Sequence, residues 1–304
     1  MQKYGKKSAC MFWPGSDVEI LGKRPNYSFV YDGDTPSKVR VDQVIKWLQL
    51  PPAKRPAFIT LYFSMVDSAG HKYGPDSPEL NAALVEINRA IGYLICELKA
   101  LEMYSNINLI LVSDHGMVAT NPVEPAIILD TLIDTKKIEW FEPGVIATVI
   151  PKKIENVVDF YIALKASTQY KDCLFEVYFK EDLPEEYNYS SSMRIPPLVL
   201  IAKNGYYFTS MEAMKTSKSN DYLKGQHGYP VPKNDRNIHA IFIGHGPKFP
   251  RNSQSFAKKE KRLPTFSNLE LFHLFTKVLA IPTEFRDGNG DLVKQIESMK
   301  IKEH

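Results

Sequence analysis

Long apolar runs are missing from this chain of 304 residues. No stretch approaches the roughly 18 to 20 apolar residues that cross a bilayer as a helix. Met1 is followed by "QKYGKKSACMFWPG", which has no apolar core of the kind a secretory leader carries. As written, the sequence predicts no transmembrane segment and no secretory signal of its own. Basic residues are not massed either. The formal net charge is only +3, and "AKKEKR" and "MKIKEH" are short groups that read as solvated surface. No nucleic-acid-binding stripe is evident. Cysteine is scarce, with Cys10, Cys96 and Cys173 alone. Three cysteines make no disulfide framework, and an odd count leaves at least one unpaired within the chain. Cys96 lies in a helical pattern and reads as a small core residue. Cysteine therefore does not reveal the compartment.

What is present is a globular composition, 44% hydrophobic and 12% aromatic, with enough apolar mass for a real core. The length is large for one domain but within range for an α/β domain. Residues 41–50, "VDQVIKWLQL", read as an amphipathic helix stopped by Pro51-Pro52. Residues 57–65 and 107–113 read as buried strands. Between them, Leu80, Leu84, Ile87, Ile91, Leu94 and Leu98 mark a long helix over 79–102. This β-α-β order predicts a parallel strand pair joined by a right-handed crossover. From about 123 to 220 the pattern is irregular, and "PPLVLIAKNGYYF" suggests a hairpin turning at Asn204-Gly205. "IHAIFIGHG" at 238–246 predicts another buried strand, and 268–281 a further helix. One domain with an irregular insert fits this order.

Three histidines share an unusual setting. "MVDSAGHKYGP" follows an apolar run and spaces Asp67 four residues from His71, with small residues that permit a turn. "NLILVSDHGM" ends a second apolar run in Asp114-His115-Gly116, and "GQHGYP" places His227 among glycines. Imidazole and carboxylate are the donors zinc prefers, and a catalytic zinc keeps one position open. Strand ends in an α/β sheet are where such sites are built. Each piece alone also fits a plainer role: a capping acid, a strand-end turn, a hydrogen-bonded loop histidine. His239, His245, His273 and His304 lack this setting; His273 reads as a core or surface helix residue and His245 as a loop residue, both non-ligands.

"FWPGSDVEI", "WLQLPPAKRPAFITLYF", "DSAGHKYGP", "NLILVSDHGM", "GQHGY" and "GPKF" together resemble the nucleotide pyrophosphatase/phosphodiesterase family of the alkaline phosphatase superfamily. The resemblance implies a mixed, mostly parallel β-sheet between helices and two zinc ions. It implies that Asp67, His71 and His227 bind one zinc, and that Asp114 and His115 bind the other. Two adjacent ions can stabilise the attacking and leaving oxygens of a phosphoryl displacement. In the family a threonine attacks phosphorus, and water then hydrolyses the nucleotidyl intermediate. The residue matching Tyr31 stacks on the base, and those matching Trp13 and Asp17 lie near its polar edge. The resemblance further implies a nucleotide or other phosphodiester substrate, release of nucleoside monophosphates, and an extracellular or cell-surface glycoprotein. "NYS" sequons occur at Asn26 and Asn188.

The family pattern breaks at the start. "MQKYGKKSACMF" holds no Thr, Asp or Asn, so the nucleophile, one zinc-binding Asp and their strand have no match. The expectation is a single catalytic domain over 1–304 that is N-terminally incomplete. It would have one full and one partial zinc site and no identified catalytic nucleophile. A catalytically inactive metal-binding or partner-binding remnant of the same fold is the alternative. Pro230 also stands where the family usually has Asp after "HGY".

Overall fold

A computed structural model describes residues 1–170, 174–216, 222–230, 237–250, 263–283 and 288–301. Cys173 and His304 lie outside the described residues. In chain order the strands are β1 (Ser8–Met11), β2 (Tyr27–Ser28), β3 (Phe58–Leu61), β4 (Leu109–Val112), β5 (Val118–Ala119), β6 (Ala126–Ile128), β7 (Ile138–Glu142), β8 (Ile146–Pro151), β9 (Phe175–Phe179), β10 (Leu198–Ala202), β11 (Tyr207–Thr209), β12 (Gly225–Gln226) and β13 (Phe242–His245). The helices are α1 (Ser37–Leu48), α2 (Met65–Tyr73), α3 (Pro78–Ala100), α4 (Asn156–Tyr170), α5 (Met211–Thr216), α6 (Glu270–Val278) and α7 (Asp291–Ile301). The mixed α/β class is the one expected. The chain divides into two compact units.

The first unit comprises Met1–Met65, Ala83–Asp114 and Ile241–His304. Its sheet runs β2-β1-β3, all parallel. Val41, Val44 and Ile45 of α1 and Ala90, Leu94 and Leu98 of α3 pack with Ala9 and Met11 of β1. The three-and-four spacing on both helices puts these residues on one face each. Leu274 of α6 and Leu292 and Ile296 of α7 form a smaller core with Phe249.

Several expectations change here. β3 and β4 do not pair with each other: β3 lies beside β1, and β4 pairs antiparallel with β13. Each of β3 and β4 therefore has a single strand neighbour among the described residues, and every residue of "FITL" and "LILV" is only half-buried. An open edge leaves such strands partly in water. β13 alternates between half-buried and exposed residues and is not a fully buried strand. Cys96 is exposed, not core; it lies two residues from the buried positions Leu94 and Leu98, which puts it off the apolar face.

The second unit comprises Val66–Ala82 and His115–Ala240. Its main sheet is antiparallel, β7-β8-β10-β9. β10 reads "LVLIA" and is buried throughout because both faces are covered. Leu198, Leu200 and Ala202 face Val157, Phe160 and Leu164 of α4, while Val199 and Ile201 face Leu183. The expected hairpin at Asn204-Gly205 is a turn only. β10 pairs with β8 and β9, whereas β11 leaves to pair parallel with β6. Small pairs complete the unit, β11-β6 and β12-β5.

Candidate metal centre

Asp67 and His71 lie not on a strand-end turn but in α2, a helix. One helical turn separates them, so i and i+4 stack on the same face. His227 arrives from β12, whose Gln226 pairs with Val118 and Gly225 with Ala119. That register also delivers the chain just before β5, where His115 sits. Lys224 N–H donates to the His71 carbonyl at 2.8 Å, tying this segment to α2. At Gly225 a Cβ would fall 2.4 Å from the Gly70 carbonyl oxygen, so only glycine lets the two backbones meet. Gly228, with φ +91°, supplies the left-handed residue that turns the chain after His227.

The ligand-type atoms of Asp67, His71 and His227 lie within 4.8 Å of one another. Asp67 Oδ1 is 3.3 Å from His71 Nε2, 3.6 Å from His227 Nε2 and 4.0 Å from His115 Nε2. The His115 and His227 rings stack with centroids 3.5 Å apart and planes 12° from parallel. All four residues belong to the second unit.

The hydrogen bonds around this group leave a deficit of positive charge. His71 Nδ1–H donates to the Gly225 carbonyl at 2.9 Å, and His115 Nδ1–H to the Gly116 carbonyl at 2.9 Å. A carbonyl only accepts, so in each neutral ring Nε2 carries the lone pair. Both Nε2 atoms lie near a carboxylate oxygen, at 3.3 and 4.0 Å, that is buried and receives no aligned donor. Nitrogen and oxygen lone pairs share such a space only around a cation, either a proton or a metal ion. In the metal-free state His71 approaches closely enough to hold the Asp67 carboxyl below its usual range, against the opposing effect of burial. The same contact raises His71. Donor chemistry and the bare oxygen both fit zinc, and the second coordination sphere, a backbone carbonyl on Nδ1, is the usual one.

Asp114 is exposed at the end of β4, in the first unit, where its carbonyl accepts from Asn268 Nδ2 at 3.3 Å. The structure brings His115 toward Asp67, an approach the sequence does not signal because two-residue strands carry no periodicity. Elsewhere in the first unit, the half-exposed Tyr31 places its hydroxyl 2.9 Å from Ser64 Oγ. Its ring and that of Phe12 form an edge-to-face pair, centroids 5.6 Å apart. Trp13 follows Phe12, is partly exposed, and opens a turn closed by Ser16 N–H on its carbonyl at 3.0 Å. Asp17 is exposed, and its carbonyl accepts from Arg24. His245 ends β13 and stacks on Tyr104 at 4.2 Å.

Comparison with known proteins places the chain in a family. The family profile described as type I phosphodiesterase / nucleotide pyrophosphatase matches residues 1–230. A venom phosphodiesterase of Naja atra is 32% identical over 286 residues, covering 93% of this chain and 33% of that protein. Ectonucleotide pyrophosphatase/phosphodiesterase family member 5 of Homo sapiens is 32% identical over 291 residues, covering 95% of this chain and 55% of the relative. The chain thus spans from about a third to about half of these relatives' lengths. The solved structure of the murine family member 5 superposes with a TM-score of 0.83 at 29% identity, covering 97% of this chain and 73% of that one. An inactive threonine-to-alanine variant of the murine protein, in complex with AMP, superposes with a TM-score of 0.82. With its profile matched over well more than half its length and the alkaline-phosphatase-like fold of these relatives, this chain belongs to the type I phosphodiesterase / nucleotide pyrophosphatase family.

Proposed function

We propose that this chain carries the zinc-binding and base-binding side chains of a hydrolase. That enzyme cleaves phosphodiester or pyrophosphate bonds in nucleotides and releases nucleoside monophosphates. The observation that carries this reading is the buried, undonated Oδ1 of Asp67 with the histidine nitrogens gathered around it. Asp67, His71 and His227 would hold one zinc, and Asp114 and His115 would contribute to a second. When bound, zinc supplies Lewis-acid polarisation of a phosphoryl oxygen. The Gly225 carbonyl fixes the His71 tautomer so that Nε2 is presented as a donor. Asp67 supplies the negative charge that offsets the ion. Tyr31 offers a ring face to the base, and Trp13 and Asp17 its polar edge; the AMP complex of the murine relative supports a nucleotide ligand. An extracellular setting and glycosylation at Asn26 or Asn188 are the matching proposals, supported by relatives named for venom and as ectoenzymes.

The test is hydrolysis of a nitrophenyl ester of a nucleoside monophosphate with zinc supplied. Release of nitrophenolate, lost in His227→Ala, is the expected result. Zinc bound at the site with no hydrolysis would overturn the hydrolytic reading, and no zinc bound would reject the metal centre as well.

A further inference from the structure

A buried guanidinium in the first unit has no part in the metal centre. Arg40, on α1, is only 3% exposed. Its Nε donates to the Thr35 carbonyl at 2.9 Å, and one terminal nitrogen to the Tyr62 carbonyl at 2.9 Å. The other terminal nitrogen donates to the carbonyls of Asp32 at 3.3 Å and Gly33 at 2.9 Å. The guanidinium carbon lies 5.0 Å from the centre of the Phe12 ring.

These contacts meet the loop that carries Tyr31 and the residues packed against it. Asp32 and Gly33 follow it directly, so Arg40 holds the backbone on which Tyr31 hangs. The other face of that loop is closed by Asp32 itself, whose carboxylate accepts from Asp34 N–H at 3.0 Å and from the Thr35 hydroxyl at 2.6 Å. Tyr62 lies two residues before Ser64, whose Oγ meets the Tyr31 hydroxyl. Phe12, under the cation, forms an edge-to-face pair with the Tyr31 ring. Phe12 also has φ +62°, a left-handed backbone that costs a bulky side chain energy and persists only where its surroundings impose it. Loop backbone, ring and hydroxyl of Tyr31 thus all rest on groups that Arg40 touches or on their near neighbours.

We infer that Arg40 is the positioning residue of the base subsite: it fixes the Tyr31 ring for stacking without touching the nucleotide. The inference rests on the nucleotide reading given above. A planar fork with five donors is what this role requires. Four carbonyls from two chain segments are met at fixed spacing, and the flat face stays free for Phe12. Lysine keeps the charge but is a point donor with three protons, so it cannot reproduce that spacing.

The experiment measures binding, with zinc supplied, of AMP and of ribose 5-phosphate, which lacks the base. The proteins are the unmodified chain, Tyr31→Ala, Arg40→Lys and Arg40→Met. Stacking on one aromatic ring predicts that Tyr31→Ala loses about 5- to 100-fold in AMP affinity. Arg40→Lys should lose about fivefold or more toward AMP and less than about twofold toward ribose 5-phosphate, since it disturbs only the surface that stacks. Arg40→Met leaves four carbonyls without this donor and is read only if it folds; Arg40→Lys carries the test otherwise. Amide exchange of residues 31–35 should quicken in Arg40→Lys while that of β1 stays unchanged. Equal binding of AMP and ribose 5-phosphate by the unmodified chain would overturn the nucleotide reading and this inference with it. A preference for AMP that Tyr31→Ala removes and Arg40→Lys keeps would overturn the role of Arg40 alone.

Discussion

Replacing Gly225 by alanine tests whether α2 and β12 must meet to assemble the metal centre. The added methyl would stand 2.4 Å from the Gly70 carbonyl oxygen and 3.0 Å from Cγ and Sδ of Met117. The methionine can give way, but the carbonyl is helix backbone and cannot. Restoring an ordinary C···O contact of about 3.3 Å requires the backbones to part by about 0.9 Å. Two bonds span that gap, Lys224 N–H to the His71 carbonyl at 2.8 Å and His71 Nδ1–H to the Gly225 carbonyl at 2.9 Å. A separation of this size takes both beyond the roughly 3.2 Å limit of a good N–H···O bond.

Two effects follow from that displacement. Overpacking of this kind costs about 1–3 kcal/mol of stability. Loss of the carbonyl that orients His71 should weaken zinc binding by about 10- to 100-fold. Thermal unfolding of metal-free protein reads the first, and competition with a chromogenic chelator reads the second. Gly92→Ala is the control, because a methyl there meets nothing within 4 Å on a long helix. It should stabilise slightly, by about 0.4–1 kcal/mol, and leave zinc affinity alone. A Gly225→Ala protein that binds zinc as tightly as the unmodified chain would refute the argument that this approach builds the site.

Metal analysis of purified protein is expected to give nearer one zinc per chain than two, with His71→Ala removing most of it; two tightly held ions would mean that ligands have been missed. In the metal-free protein the Asp67–His71 contact stabilises over a window with two edges. The lowered carboxyl contributes above its unfolded value and loses that contribution as pH falls through its folded one, whereas the raised imidazole contributes below its unfolded value and loses it as pH rises through its folded one. Zinc must displace the His71 proton, so zinc affinity should climb with pH and level off above the raised His71 value; a flat profile between about pH 5 and 8 would contradict this. Phe208, 1% exposed in the core of the second unit, should cost about 3–5 kcal/mol as Phe208→Ala in thermal unfolding. Zinc stoichiometry at low temperature should stay unchanged in that variant, and a loss there would tie the core to the site.

Long amphipathic patterns were legible in the sequence. The helix expected over 79–102 is α3, Pro78–Ala100, and that expected over 268–281 is α6, Glu270–Val278. Their apolar spacing repeats often enough to override local noise. Pairing partners were not legible, because they depend on contacts far apart in sequence. The turn at Asn204-Gly205 is local and was read; the departure of β11 to β6 is tertiary and was not. α2 was read as a turn because it is short and contains Ser68 and Gly70, which weaken any helical signal. The spacing of Asp67 and His71 survived that error, since a tight turn and one turn of helix both bring i and i+4 together.

One boundary error had a larger consequence. The apolar pattern predicts a helix around 41–50, whereas α1 starts at Ser37. Extended by one turn, the buried stripe of α1 runs through Ser37, Arg40, Val41, Val44, Ile45 and Trp47. Arginine on such a stripe is rarely fully buried unless its donors are met, so it marks a place where the fold needs a fixed fork of hydrogen bonds. Outside the helix, Arg40 would be one more charge in a loop. Inside it, the residue is a cation on the core side of the helix, with no carboxylate paired to it among the described residues and four main-chain carbonyls accepting from it. A charged residue four positions before an apolar one on a buried face is a signal the sequence does contain. It becomes readable once the helix is allowed to begin immediately after Pro36, where a proline-ended loop permits it.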